Sequence, residues 1–206
     1  MRALNFSTPD DREEIARAEI YGLLATLLYA PPDDAFYAQL QVAVTEAPAP
    51  GAFLEASWSA LVEASRRVPL DEARDEYAAL FLGIGKPEVF LYGSFFIAGS
   101  LNGKPLVDLR RDLQALGLER PTTVDETEDH IASLCEVMRY LIAGDDLAVS
   151  NLTAQQRFHA AHLRPWVEAL CDVLESHPRA DFYRHVGAFA RAFFAVEAQG
   201  FDLLDA

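Results

Sequence analysis

The sequence predicts an all-α fold, a single-domain helical bundle with one long glycine- and aromatic-rich loop. Three observations predict it. Apolar residues recur at helical spacing in several windows, helix-start and helix-stop residues punctuate those windows, and no window alternates as a strand would. With 51% hydrophobic and 24% charged residues, the 206-residue chain can bury one core without disulfides or structural metal, so residues 1–206 are expected to form one domain.

Asp10 and Asp11 are candidate caps for a first helix, whose apolar face includes Ile15, Ala18, Leu23 and Leu27 and which ends before Pro31. A second helix is expected from Asp33 and Asp34 to about Thr45, followed by a turn over Ala47-Pro48-Ala49-Pro50-Gly51. A third runs through Trp58 to about Arg67. Pro69 suits a first helical turn and opens a fourth, which carries Tyr77, Leu80 and Phe81 and stops at Gly83.

From Gly83 to Gly103 five glycines fall within 21 residues, among Phe90, Tyr92, Phe95 and Phe96. Loops this long inside a compact domain are usually functional. Pro105 starts a short helix through Leu106, Leu109 and Leu113 that Gly117 terminates. Thr123-Val124-Asp125-Glu126 has capping-box spacing, so the next helix is expected to begin there and to bury Ile131, Leu134, Cys135, Met138, Leu141 and Ile142 before Gly144. Thr153 and Gln156 repeat that spacing ahead of one long helix through Phe158, Leu163, Trp166, Leu170 and Leu174 to His177-Pro178. A last helix spans about Asp181 to Gln199.

The net charge of −15, from 32 acidic against 17 basic residues, repels a phosphate backbone and attracts a basic peptide. Nucleic acid is therefore excluded as a partner. Residues Met1 to Asp11 lack the apolar stretch of a secretion signal, and the apolar run Ile20 to Ala30 is too short to span a bilayer, so the expected location is the cytoplasm. Cys135 and Cys171 fall at apolar helical positions, as buried free thiols do.

The densest polar cluster is Glu126-Thr127-Glu128-Asp129-His130. Acids in a first helical turn are stabilised by the helix dipole and need no function. In a functional reading, Glu126 and His130 share one helical face and could hold a guanidinium or a backbone group. No nucleophile or metal-ligand motif accompanies them, so no catalytic residue, cofactor or metal is expected. His159 and His162 are expected to face solvent or cap a helix rather than ligate metal. Gly83-Ile84-Gly85-Lys86 lacks the spacing of a phosphate loop. The loop aromatics set among glycines either pack over the bundle or wall a groove for a peptide.

In the order Leu28-Tyr29-Ala30-Pro31, Tyr77-x-x-Leu80-Phe81, Tyr92-Gly93-Ser94, Glu126-x-x-Asp129-His130 and His162-Leu163-x-Pro165-Trp166, the chain resembles the TorD/DmsD family over nearly its whole length. These are cytoplasmic chaperones of molybdoenzyme maturation that bind twin-arginine signal peptides. The resemblance implies an all-helical fold, no catalytic cycle, and a peptide-binding surface around the loop and the Asp129-His130 helix start. The implied partner is an apo-molybdoenzyme with its twin-arginine signal peptide. Leu80, Phe81 and Tyr92 are expected as groove walls and Glu126, Asp129 and His130 as a polar clamp, with Tyr77 and Ser94 beside them. His162 and Trp166 are expected to join helices in the core. The family includes monomers and domain-swapped dimers. The alternatives are a chaperone of a cytoplasmic molybdoenzyme subunit, of the nitrate-reductase type, and a small hydrolase dependent on Asp129 and His130.

Overall fold

The computed structural model describes residues 9–45, 54–83, 86–121 and 125–204. Ten α-helices lie among them: α1 (Pro9–Tyr29), α2 (Asp34–Gln41), α3 (Glu55–Arg67), α4 (Leu70–Tyr77), α5 (Gly93–Ala98), α6 (Lys104–Ala115), α7 (Ile131–Ala143), α8 (Leu152–His162), α9 (Val167–Ser176) and α10 (Phe182–Asp202). A π-type turn, Ala78–Leu82, continues α4 to Gly83. The described residues contain no strand, only an isolated bridge between Tyr92 and His130.

The core follows from three apolar helices. On α7, Ile131, Leu134, Cys135, Met138, Leu141 and Ile142 are all buried, as their spacing predicts, and α7 packs against α1 and α8. Along α10, Tyr183, Val186, Phe189, Ala190, Phe193 and Phe201 are buried against α9, α3 and α1. Tyr21 of α1 meets Phe193 edge-on at 4.8 Å, joining the two packing layers. Both cysteines are free and buried, and burial pushes the Cys171 thiol up to about 12.

Polar groups lock this frame at its seams. Glu197 is buried on α10 and accepts two bonds from the Arg17 guanidinium, at 2.6 and 2.8 Å, and one from the Tyr21 hydroxyl at 3.0 Å. The Glu76 carboxylate of α4 accepts the amides of Asp181, Phe182 and Tyr183 at 2.8–2.9 Å, satisfying otherwise orphaned donors at the start of α10.

Several boundaries differ from the sequence expectation for physical reasons. Helix α2 stops at Gln41, short of Thr45, because Arg66 of α3 takes the carbonyls of Gln41 and Ala43 at 2.8 and 3.0 Å. Asp10 and Asp11 lie inside α1, which begins at Pro9. The glycine-rich stretch is not all loop, since α5 forms within it. Helix α7 starts at Ile131, so the acids of 126–129 precede the helix and Glu126 and His130 share no helical face. Asn151, rather than Thr153, caps α8 by accepting the Ala154 amide at 3.0 Å. The expected long helix is broken into α8 and α9 over 163–166, where Pro165 has no amide to donate. There the Trp166 indole N–H caps the His162 carbonyl at 2.7 Å. Gly117 sits just beyond α6 at φ +70°, the left-handed position its helix-stop role requires. The turn over Ala47 to Gly51 and the capping residue Thr123 lie outside the described residues, as do Ile84 and Gly85.

Candidate functional site

The loop before α5 is stitched to the start of α7. The Gly93 amide donates to the Asp129 carbonyl at 2.9 Å and the Ile131 amide to the Leu91 carbonyl at 2.8 Å, flanking the Tyr92–His130 bridge. The stitch brings Tyr92-Gly93-Ser94 and Glu126-x-x-Asp129-His130 side by side, although they are far apart in sequence.

Most polar side chains of this segment are held from within the protein. The Asp129 carboxylate is buried and accepts the Ser94 amide at 2.8 Å on one oxygen and the Thr127 hydroxyl at 2.6 Å on the other. It therefore caps α5 from another part of the chain. His130 caps α7, its Nδ1 accepting the Ala132 amide at 3.2 Å. Its ring packs edge-on between Tyr92, 5.1 Å away, and Tyr29, 6.3 Å away. Burial pushes the His130 imidazole down to about 4, so at neutral pH it is uncharged, as an Nδ1 acceptor must be. Glu126 accepts the Tyr92 hydroxyl, and burial together with that carboxylate holds the Tyr92 phenol well above its ordinary value.

A cleft of about 680 Å³ opens beside this segment, lined by Ser94, Asp129, Ile97, Leu109, His162 and Trp166 among others. Gly93 lines it, and a Cβ there would lie 3.0 Å from the Trp166 indole nitrogen, tighter than an ordinary contact. Phe96 stacks on Trp166 at 5.4 Å, and His162 Nε2 lies 2.9 Å from Asp112. The stretches 92–94, 126–130 and 162–166 thus converge on one cleft.

The expected groove walls lie elsewhere. Tyr77, Leu80 and Phe81 are 2%, 0% and 8% exposed, packed in the core beneath the loop. Tyr77 and Phe81 pack edge-on against one another and against Tyr183 of α10, and the Leu80 carbonyl accepts the Val89 amide at 2.9 Å. They support the site from below rather than face an open groove. Glu126, Asp129 and His130 likewise already hold Tyr92, Ser94 and Ala132, so they do not form a free polar clamp. Of the eight residues singled out by sequence, Ser94 and Asp129 border the cleft. His162 and Trp166 are buried as expected, and the cleft they line was not anticipated. The signal was present in His162-Leu163-x-Pro165-Trp166, where proline and tryptophan force a helix break.

His159 and His162 are buried rather than solvent-facing, and the His159 Nε2 has no hydrogen-bond partner among the described residues. Among the described residues no group of three or more His, Cys, Asp or Glu side chains could hold a metal ion, and no helix is long and apolar enough to cross a membrane.

A sequence model of the family described as nitrate reductase delta subunit matches residues 48–172. Two similar relatives are chaperone proteins TorD from strains of Vibrio cholerae, 29% and 28% identical over 204 residues, covering 91% of this chain and 93% of each relative. In fold, the chain is similar to the crystal structure of an Archaeoglobus fulgidus protein assigned to redox enzyme maturation. The TM-score is 0.58 at 19% identity, covering 96% of this chain and 99% of the other.

Proposed function

Because the chain belongs to the nitrate reductase delta subunit family and is a redox enzyme maturation chaperone of the TorD type, we propose that it binds the twin-arginine signal peptide and the apo form of a molybdoenzyme. In this role it assists cofactor insertion in the cytoplasm and delays export until the cofactor is in place.

The observation that carries this reading is a pair of largely apolar clefts bordering the 126–130 segment on a chain of net charge −15. Glu128 and Asp129 border separate clefts, the first lined by Tyr29, Val137 and Tyr140 and the second by Ile97, Leu109 and Trp166. A leader with two guanidinium groups followed by an apolar stretch matches such surroundings in charge and in polarity. An exposed Arg–carboxylate pair contributes about 0–1 kcal/mol, whereas burying one large apolar side chain yields ~1.5–3 kcal/mol. The apolar stretch therefore supplies most of the affinity, and the net negative charge of the chain supplies encounter rate. In this reading Ser94 and the apolar lining of its cleft meet the client, Asp129 holds Ser94 in place, Tyr92, Glu126 and His130 fix the wall between the clefts, and Tyr77, Leu80 and Phe81 hold the loop from below.

The test is capture by the tagged, folded chain from extract of native cells blocked in molybdenum-cofactor synthesis. Retention of a cofactor-free molybdoenzyme carrying a twin-arginine leader is expected; retention of none contradicts the reading. A second reading, favoured by the description of the matching family, is a client subunit without a cleaved export signal. Comparing a leader peptide with a leaderless subunit in the same binding assay separates the two.

A further inference from the structure

One helix covers the apolar lining of the Trp166 cleft. Leu109 of α6, Leu134 of α7 and Trp166 line it and are 2%, 1% and 2% exposed, so a segment entering the cleft reaches only their edges. Helix α6 forms a whole wall, contributing Lys104, Pro105, Asp108, Arg111 and Asp112 besides Leu109. Burying an apolar stretch against Trp166 therefore requires α6 to move aside.

The attachments of α6 permit that movement. Among the helices it packs chiefly on α5, which the Asp129 cap and the stacking of Phe96 on Trp166 fix to the body. Lys104 and Arg111 pair with Asp108 inside α6 itself. Two polar side-chain contacts tie α6 to the body: His162 Nε2 lies 2.9 Å from Asp112, and Arg110 reaches Glu128 at 2.8 and 3.0 Å. The Arg110 side chain is half exposed, and such a pair holds weakly. The connections at both ends contain left-handed positions, Gly99 at φ +72° and Asn102 at φ +61° before α6 and Gly117 at φ +70° after it. A Cβ at Gly99 or Gly117 would meet nothing within 4 Å, so backbone conformation and not packing calls for glycine there. Hinges absorb rotation at such ends of elements.

We propose that α6 is a hinged flap over the Trp166 cleft, latched by Asp112 and His162, which turns on α5 to admit a polypeptide segment. The movement itself needs no client; its use in admitting one rests on the function proposed above. Opening uncovers Leu106, Leu109 and Leu113 on the buried face of α6, so the closed arrangement dominates in the free chain. An apolar segment that covers them shifts the balance towards the open one.

The experiment places a thiol beneath the flap. In Leu109→Cys the full chain carries that thiol besides Cys135 and Cys171, which are buried on α7 and α9 and report unfolding of the whole bundle. Labelling of the folded chain with a dithiobis-nitrobenzoate reagent is expected to show one thiol reacting at least about tenfold faster than the other two. Adding Asp112→Ala should speed that thiol at least about fivefold and leave the two slow ones unchanged. Adding Asp202→Ala, which breaks an exposed pair with Arg164 away from α6, should change neither. All thiols reacting at one rate, or no greater acceleration by Asp112→Ala than by Asp202→Ala, overturns the proposal. So does an Asp112→Ala variant that speeds every thiol alike, since the contact would then hold the whole fold and not a flap. Trp58→Phe gives a second readout with Leu109 intact, because Trp166 is the other tryptophan of the chain. Acrylamide quenching of Trp166 should rise at least about twofold on Asp112→Ala, and unchanged quenching contradicts the flap. A twin-arginine leader titrated into the Leu109→Cys chain separates the two readings. Leader bound while the introduced thiol stays as slow as Cys135 and Cys171 sinks the flap alone, and a fast thiol in a chain that binds no leader sinks only the leader reading.

Discussion

The Asp129 carboxylate caps helix α5 across 35 positions of sequence, accepting the Ser94 amide at 2.8 Å. It makes the long glycine-rich stretch part of the rigid frame, because α5 has six residues and would not form alone. Asp129→Ala should therefore lower stability by about 1–2 kcal/mol in urea unfolding, the usual cost of losing a helix cap. Asp129→Asn keeps one acceptor of the two and should lose less.

The Arg17–Glu197 pair should be the most sensitive polar contact in the molecule. Glu197→Ala leaves a partly buried guanidinium and the Tyr21 hydroxyl without their acceptor, and should cost about 3–5 kcal/mol. Thermal unfolding checks it. A loss below that of an exposed pair such as Arg164–Asp202 would mean that the seam between α1 and α10 is held by packing alone.

Acid should destabilise the fold through two histidines. Burial holds His130 and His159 at about 4, below the ordinary 6.5, so as pH falls from about 6.5 towards 4 the unfolded chain takes up protons first. The stability they contribute is present above the ordinary value and is lost across that window, on the order of 3 kcal/mol for each. In His159→Leu the share of that imidazole should disappear from the pH dependence. Removing an unpartnered buried Nε2 should leave stability at neutral pH unchanged or raised. Urea midpoints at several pH values for both proteins give the comparison.

Gly93→Ala should press on Trp166, since the added carbon would come within 3.0–3.1 Å of the indole. A loss of about 1–3 kcal/mol and a changed near-ultraviolet signal from Trp166 are expected. An unchanged spectrum would contradict the close seating of the loop on the break between α8 and α9.

The sequence carried the helices well where apolar spacing and capping act locally, as on α7 after Ile131 and at Gly117. It failed where the deciding partner is distant. Arg66 ends α2 from another helix, and Asp129 builds α5 from beyond it, and neither effect leaves a mark in the local pattern. The site was legible as a set of residues but not as an arrangement. Tyr77, Leu80 and Phe81 resemble groove walls in sequence because buried support and exposed wall call for the same side chains. Glu126 and His130 resemble a clamp until their partners, Tyr92 and Ala132, are seen. Tyr29 and Tyr140 could not be told apart from core aromatics by periodicity, since exposure of a helix edge depends on which neighbour is missing.

The most direct measurement is isothermal titration of the purified chain with a synthetic twin-arginine leader of its co-encoded or co-purifying molybdoenzyme, at low and at high salt. The account predicts binding on the order of micromolar, weakened by salt and weakened further when the apolar stretch of the leader is replaced by serine. No binding by a folded chain, or binding indifferent to that replacement, would contradict it.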